Sequence, residues 1–290
     1  MITQFAIRLI CGLSIVWCVM PRGQVTSGFF RIQMLVTLGL AVLAAVAAGE
    51  LAGTVASASS ETSAGVVADA VSAVLSGDLL RALTALIAVL SFIGSVLWTL
   101  ERRTAGGRFC FVIAGISTAC VALNGVSQEG LSTWPGSLYW MSEIATGLVS
   151  GAAVGGMLLG HWYLTAPTMS TSPLNKINLW LGVTAALRLV LAGIALITYW
   201  PVVFQSKPVS IITGGSETQT VTFSSIHTIW LSLEWLGGII GPLVVCLMVH
   251  WIMKYRNTQS ATGVLFVGVI LAFLGEMTAA LLRRELQLPL

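Results

Sequence analysis

Residues 177–199 read INLWLGVTAALRLVLAGIALITY, an unbroken apolar run with one charge, Arg188, near its centre. As a helix at 1.5 Å per residue this run reaches about 34 Å, enough to cross a hydrocarbon core of ~30 Å. Because the run is continuous rather than alternating, and lipid forces a span to satisfy its own backbone hydrogen bonds, it reads as a helix and not a barrel strand. Seven further runs of the same kind lie near 4–20, 30–49, 79–100, 109–127, 143–165, 228–252 and 262–282. The expected fold is therefore an all-α, polytopic membrane protein of eight transmembrane helices.

Composition agrees. The 290 residues are 56% hydrophobic and 9% charged, with a mean hydropathy of +0.92, whereas a soluble chain carries about 25% charged residues. A cytosolic globular enzyme, a disordered tail and a disulfide-stapled secreted module are excluded. The net charge of +3 is dispersed, with no Lys/Arg run beyond two residues, which argues against nucleic acid as a partner. Five cysteines lie in apolar stretches without a C-x-x-C pair, so thiolate zinc and c-type haem are not indicated. The first twenty residues resemble a signal peptide in having Arg8 before an apolar run, but Trp17-Cys18-Val19-Met20 lacks small residues for cleavage. They are expected to stay as the first span.

Loop charges orient the chain. Arg22, Arg31, Arg102, Arg103, Arg108, Lys176, Lys254 and Arg256 share one side with Glu101 as its acid, which assigns that side to the cytoplasm of a cytoplasmic (inner) membrane and both termini to the outside. Arg8, Arg283 and Arg284 then count as outer-side charges; the Arg283-Arg284 pair runs against the rule. The outer connections are the longer ones. Residues 50–78 are Ala/Ser-rich, with Val66 to Leu75 spaced like a short interfacial helix, and Trp134, Tyr139 and Trp140 fall at an aromatic belt. Between spans six and seven, 209–213 and 218–223 flank Gly214-Gly215 and read as a small extramembrane β-hairpin or as an irregular polar loop.

A shift of 145 residues lays Trp17 on Trp162 and Arg31 on Lys176; a shift of 153 lays Trp98 on Trp251 and Arg103 on Arg256. These echoes predict two four-helix bundles, 1–140 and 141–290, related as a parallel repeat because four spans return the chain to the same side. Span five has the tightest expected packing face, with Gly147, Gly151 and Gly155 at i+4 spacing and Gly156 and Gly160 repeating it.

The polar residues inside the spans are the candidate site. His161-Trp162 ends span five and His250-Trp251 ends span seven. These spans are diagonal neighbours in an up-and-down bundle, so the two histidines are candidate axial ligands to a haem b; the alternative is a pair of interfacial histidines. A metal is not indicated, since no carboxylate or thiolate stands at ligand spacing. Arg188, at mid-membrane, needs a partner. Counting from the cytoplasmic ends it lies at roughly 16 Å and Glu276 at roughly 21 Å, which makes Glu276 the expected partner. With Glu234, Glu143 and His227 these form an expected polar ladder from the outer surface to the midplane. Gly237-Gly238-Ile239-Ile240-Gly241-Pro242 is the candidate hinge.

In plan, such a chain resembles the membrane quinone-reactive subunits of the polysulfide-reductase type and the haem A synthases. The resemblance is one of helix number and repeat only: no motif matches residue by residue, and haem A synthases place histidines in both halves where the first half here has none. The leading functional expectation is a respiratory or redox membrane subunit that binds quinone or haem b in the C-terminal bundle, alongside other membrane or redox subunits. Two others stand beside it: a small-solute or ion transporter with Arg188, Glu234 and Glu276 as its midplane site, and a non-catalytic assembly or anchor subunit.

Overall fold

The computed structural model describes residues 1–58, 64–126, 134–166, 169–204, 209–213, 217–221 and 224–286. Its long helices are α1 (Ile2–Val19), α2 (Ser27–Ala58), α3 (Ala64–Thr99), α4 (Arg103–Val126), α5 (Trp134–Thr165) and α6 (Ser172–Thr198). A short α7 (Trp200–Phe204) follows. Span seven is composite: α8 (Ser225–Leu233), a π-helix (Glu234–Ile240) and α9 (Gly241–Lys254). Helix α10 (Thr258–Leu286) closes the chain. Eight helical stretches are long and apolar enough to cross a membrane, and large apolar side chains such as Phe92, Leu179, Leu236 and Leu247 are exposed, as a surface in contact with lipid tails requires. The chain is thus built as a multi-pass membrane protein.

One expectation about the connections needs correction. Residues 50–78 are not a loop with a separate short helix. Helices α2 and α3 run on through most of this segment, to Ala58 and from Ala64, because it is rich in alanine and apolar residues and has no proline to stop a helix. Between spans six and seven, the backbones of β1 (Val209–Thr213) and β2 (Glu217–Val221) pair antiparallel; the expected turn at Gly214-Gly215 lies outside the described residues.

Helix packing follows a simple order. In the first half α1 packs on α2, α2 on α3, α3 on α4, and α4 returns to α1; in the second, α5 packs on α6, α6 on α9, α9 on α10, and α10 returns to α5. The halves meet where α1 and α4 pack on α5. The turns after α3 and α9 share a shape. Glu101 and Arg256, each two residues past its helix, take left-handed backbone angles (φ 56° and 54°), and the next helix starts two residues later.

At the α1–α5 seam the backbones touch. A Cβ on Gly12 would fall on the Gly147 carbonyl, one on Gly151 would fall on the Gly12 backbone, and one on Gly147 would lie 2.6 Å from the Arg8 carbonyl oxygen. The second glycine row of α5 faces elsewhere, Gly156 toward Ile177 and Leu265, Gly160 toward Thr262. Helix α5 is therefore the shared wall of both halves. At the other end of the seam the Trp162 indole donates to Thr26 Oγ1 at 2.8 Å.

This close approach leaves no room for a side chain. Gly12→Val should cost about 3 kcal/mol or more, the upper end of overpacking penalties. Gly39→Ala, whose Cβ meets nothing within 4 Å, should be neutral to within about 1 kcal/mol. Thermal unfolding in detergent, followed by tryptophan fluorescence, separates the two.

Candidate functional site: a buried arginine–glutamate network

The site begins with a proline. Pro242 has no N–H, so the carbonyl one turn before it loses its helical donor, and the chain responds with the wider π-helical turn Glu234–Ile240. Within this segment Leu236 is exposed while Glu234 is buried. Two glycines allow the closest approach of the neighbouring span: a Cβ on Gly238 would lie 2.7 Å from the Gly275 Cα and 3.5 Å from Arg188 Nη2. The crossing thus brings the Arg188 guanidinium and the residue after Gly275, Glu276, to one place.

Around it lie six charged side chains, all buried: Arg8, Arg188 and Arg283 against Glu143, Glu234 and Glu276. Arg188 Nη2 donates to Glu234 Oε1 at 3.3 Å. Glu143 is shared, with Arg8 on one carboxylate oxygen and Arg283 on the other. Arg8 Nη1 also lies 3.5 Å from Glu276 Oε1, and Ser150 Oγ donates to Glu276 Oε2 at 2.9 Å. The glycine seam explains the placement, since Arg8 and Glu143 each stand one turn before a touching glycine, Gly12 and Gly147. Three positive and three negative charges balance, the condition under which lipid-enclosed ions can persist.

Two buried atoms of the central pair keep unused hydrogen-bonding capacity: Arg188 Nη1, a donor, and Glu234 Oε2, an acceptor. Nearby, Glu276 Oε1 has its arginine at ion-pair distance but no hydrogen bond. Glu276 also lies within Coulombic range of Arg188. Toward the face where α8 begins and α10 ends, His227 Nδ1 accepts from the Ser224 N–H at 2.9 Å, and its Nε2 lies 2.9 Å from Glu285 Oε2. The Glu285 side chain is half exposed, so this contact stands at the protein surface.

The arrangement differs from expectation in three ways. Arg188 and Glu276 do not form the expected direct pair: the π-helix turns Glu234 onto Arg188, and Arg8 and Ser150 hold Glu276. His227 bonds Glu285 rather than standing as a rung beside Glu234. Arg8 and Arg283, counted with the outer-side charges, are core members of the network. The available signal for Arg8 was its position inside an apolar span, between Ile7 and Leu9.

His161 and His250 are not brought together. Along the α5 face expected to carry a ligand, burial falls from Ser150 through Val154 to the half-buried Leu158, and His161, one turn on, is exposed. His250 follows the buried Val249 and shares its outward side with the exposed Leu247 and Trp251. Both histidines thus stand at exposed positions rather than in the helix core. Among the described residues no three His, Cys, Asp or Glu side chains group as a metal site. Compared with protein-family models, curated proteins and solved structures, the chain finds no match in any of the three.

The pairing is testable by charge deletion. Arg188→Leu leaves Glu234 buried and uncompensated and should cost about 3–5 kcal/mol. Arg188→Leu with Glu234→Leu should recover most of that loss, whereas Arg188→Leu with Glu276→Leu should not, because Glu234 still lacks its arginine and Arg8 loses one of its two carboxylates. Unfolding midpoints of the three proteins in one detergent give the answer.

Proposed function

We propose that the protein is a small-solute transporter of the cytoplasmic membrane, with Arg188, Glu234 and Glu276 as its central binding group. The observation that carries the reading is the central pair itself: a buried arginine and a buried glutamate, joined by one hydrogen bond, each with a polar atom unused. In lipid such atoms are costly. A solute that accepts from Arg188 and donates to Glu234 would recover that cost at the point of binding.

Charge balance narrows the solute. The resident network sums to zero, so a cargo that adds net charge would restore the desolvation penalty that pairing removed. The fitting cargo is zwitterionic, or an anion carried with a proton on Glu234 or Glu276. The π-helix supports the same reading, since such turns recur at functional sites and this one, with Pro242 behind it and glycine on both sides of the crossing, has the composition of a hinge between half-helices. Entry lies past His227 and Glu285, on the outer side if the loop arginines mark the cytoplasm. The order of helix contacts and the matched left-handed turns support two four-helix units in parallel, with the hairpin of residues 209–221 outside the membrane.

The haem version of a redox subunit is the weaker reading, because both of its candidate ligands are exposed. A quinone or assembly role has no observation of its own beyond the same three residues.

Reconstituted vesicles on a solid-supported membrane should give transient currents with amino acids or small carboxylates at an imposed pH gradient. Glu234→Asp, which keeps the charge that balances Arg188 but withdraws it from the solute, should abolish the currents while costing far less than the about 3–5 kcal/mol expected when a buried partner is removed. If wild type and variant are equally silent with neutral, cationic, anionic and zwitterionic solutes, the network is structural.

A further inference from the structure

The first half of the chain contributes only Arg8 to the buried charged network, yet the rest of its interior is not wholly apolar. Gln33, Thr37 and Ser91 are fully buried, and Gln33 Nε2 and Oε1, Thr37 Oγ1 and Ser91 Oγ have no hydrogen-bond partner in the protein. This is unusual within the molecule itself. Other buried hydroxyls are parked on a helix carbonyl one turn back, as in Thr84 to Leu80, Ser95 to Phe92, Thr146 to Ser142 and Thr278 to Leu274, the common resting state of Ser and Thr in helices. Among the described residues, Thr37 and Ser91 carry the two hydroxyls left fully buried with no partner.

The helix register brings these groups to one layer. Phe30 of α2 stacks on Trp98 of α3 at 4.3 Å, and one turn further along Met34 Sδ lies 3.1 Å from where a Cβ on Gly94 would sit. The helices are antiparallel, so three residues beyond Met34 and three before Gly94 puts Thr37 opposite Ser91. Gln33 lies one turn from Thr37 on the same face of α2. On the α1–α4 side, Ser14 Oγ and Ser117 Oγ are 3.3 Å apart, about one turn from Ser91 in depth by the contact of Gly106 with Trp98. The layer itself is thus formed by α2 and α3, with the Ser14–Ser117 pair of α1 and α4 about one turn away.

We propose that this layer is a binding site for internal water, held by Gln33, Thr37 and Ser91. The chemistry selects the occupant. The layer has no charged side chain and so does not fit an ion. Its amide needs both an acceptor and a donor, which water supplies at once. Phe30, Met34 and Trp98 beside the layer are buried, and a buried water makes about three hydrogen bonds, which Gln33, Thr37 and Ser91 can supply between them. Direct helix-to-helix hydrogen bonding does not account for the layer, since it would have given these atoms partners in the protein.

X-ray radiolytic labelling of the full-length protein in H2 18O tests this directly. Met34, fully buried and beside the layer, should acquire 18O as its sulfoxide, and the label should be lost in Gln33→Leu/Thr37→Val/Ser91→Ala. An unlabelled Met34 in the wild type, or an unchanged label in the variant, overturns the proposal. Should the triple variant fail to assemble, Thr37→Val, Ser91→Ala and their combination suffice: a shared water makes their unfolding shifts non-additive, and strict additivity overturns it.

Discussion

A guanidinium inside a bilayer has no water to turn to, and the whole second half of this protein is arranged around that fact. Three arginines enter the lipid-enclosed interior and three glutamates meet them. Their helices come from opposite ends of the chain: Arg8 from the first span, Arg283 from the last, Glu143 from between the two halves. Cost therefore becomes connectivity. A charge that would be prohibitive alone ties α1, α5 and α10 into one body, and the stabilisation lies less in the ion pairs themselves than in the penalty for separating them.

Glycine makes the geometry possible. Without backbone contact at Gly12, Gly147 and Gly151, the helices carrying Arg8 and Glu143 would stand a side chain further apart. Without the Gly238–Gly275 crossing, Glu276 would not lie beside Arg188. Each crossing sits within one turn of a member of the network, so packing and electrostatics are set by the same residues. The π-helix is the third device. By widening one turn ahead of Pro242 it brings Glu234 onto Arg188 while the exposed Leu236 stays on the outer surface, which a uniform α-helix did not predict.

The polar layer of the first half shows another answer to the same constraint. Where charges pair with charges, uncharged groups have three outlets: a helix carbonyl, another side chain, or water. Most hydroxyls here take the first, Ser14 and Ser117 among them, and Ser150 takes the second on Glu276. Gln33, Thr37 and Ser91 are left for the third.

What the amino-acid sequence determined by itself is whatever depends on one segment at a time. Solvent class, helix type and eight spans follow from run length and apolar continuity, and the glycine face of α5 follows from i+4 spacing, because each is settled by local hydrogen bonding and by transfer into lipid. Arg188, Glu234 and Glu276 stood out for the same reason, since a charge in an apolar run is conspicuous wherever its partner lies. Partnership was decided only in three dimensions. Depth counting paired Arg188 with Glu276, but depth is one coordinate and an ion pair needs three, with azimuth set by the π-turn and by helix crossings that no single span encodes. Arg8 and Arg283 were misplaced because a charge near a helix end reads as surface until a neighbouring helix covers it. The histidines are the opposite case: their shared dipeptide and similar depth were legible, and the exposure of both side chains was not.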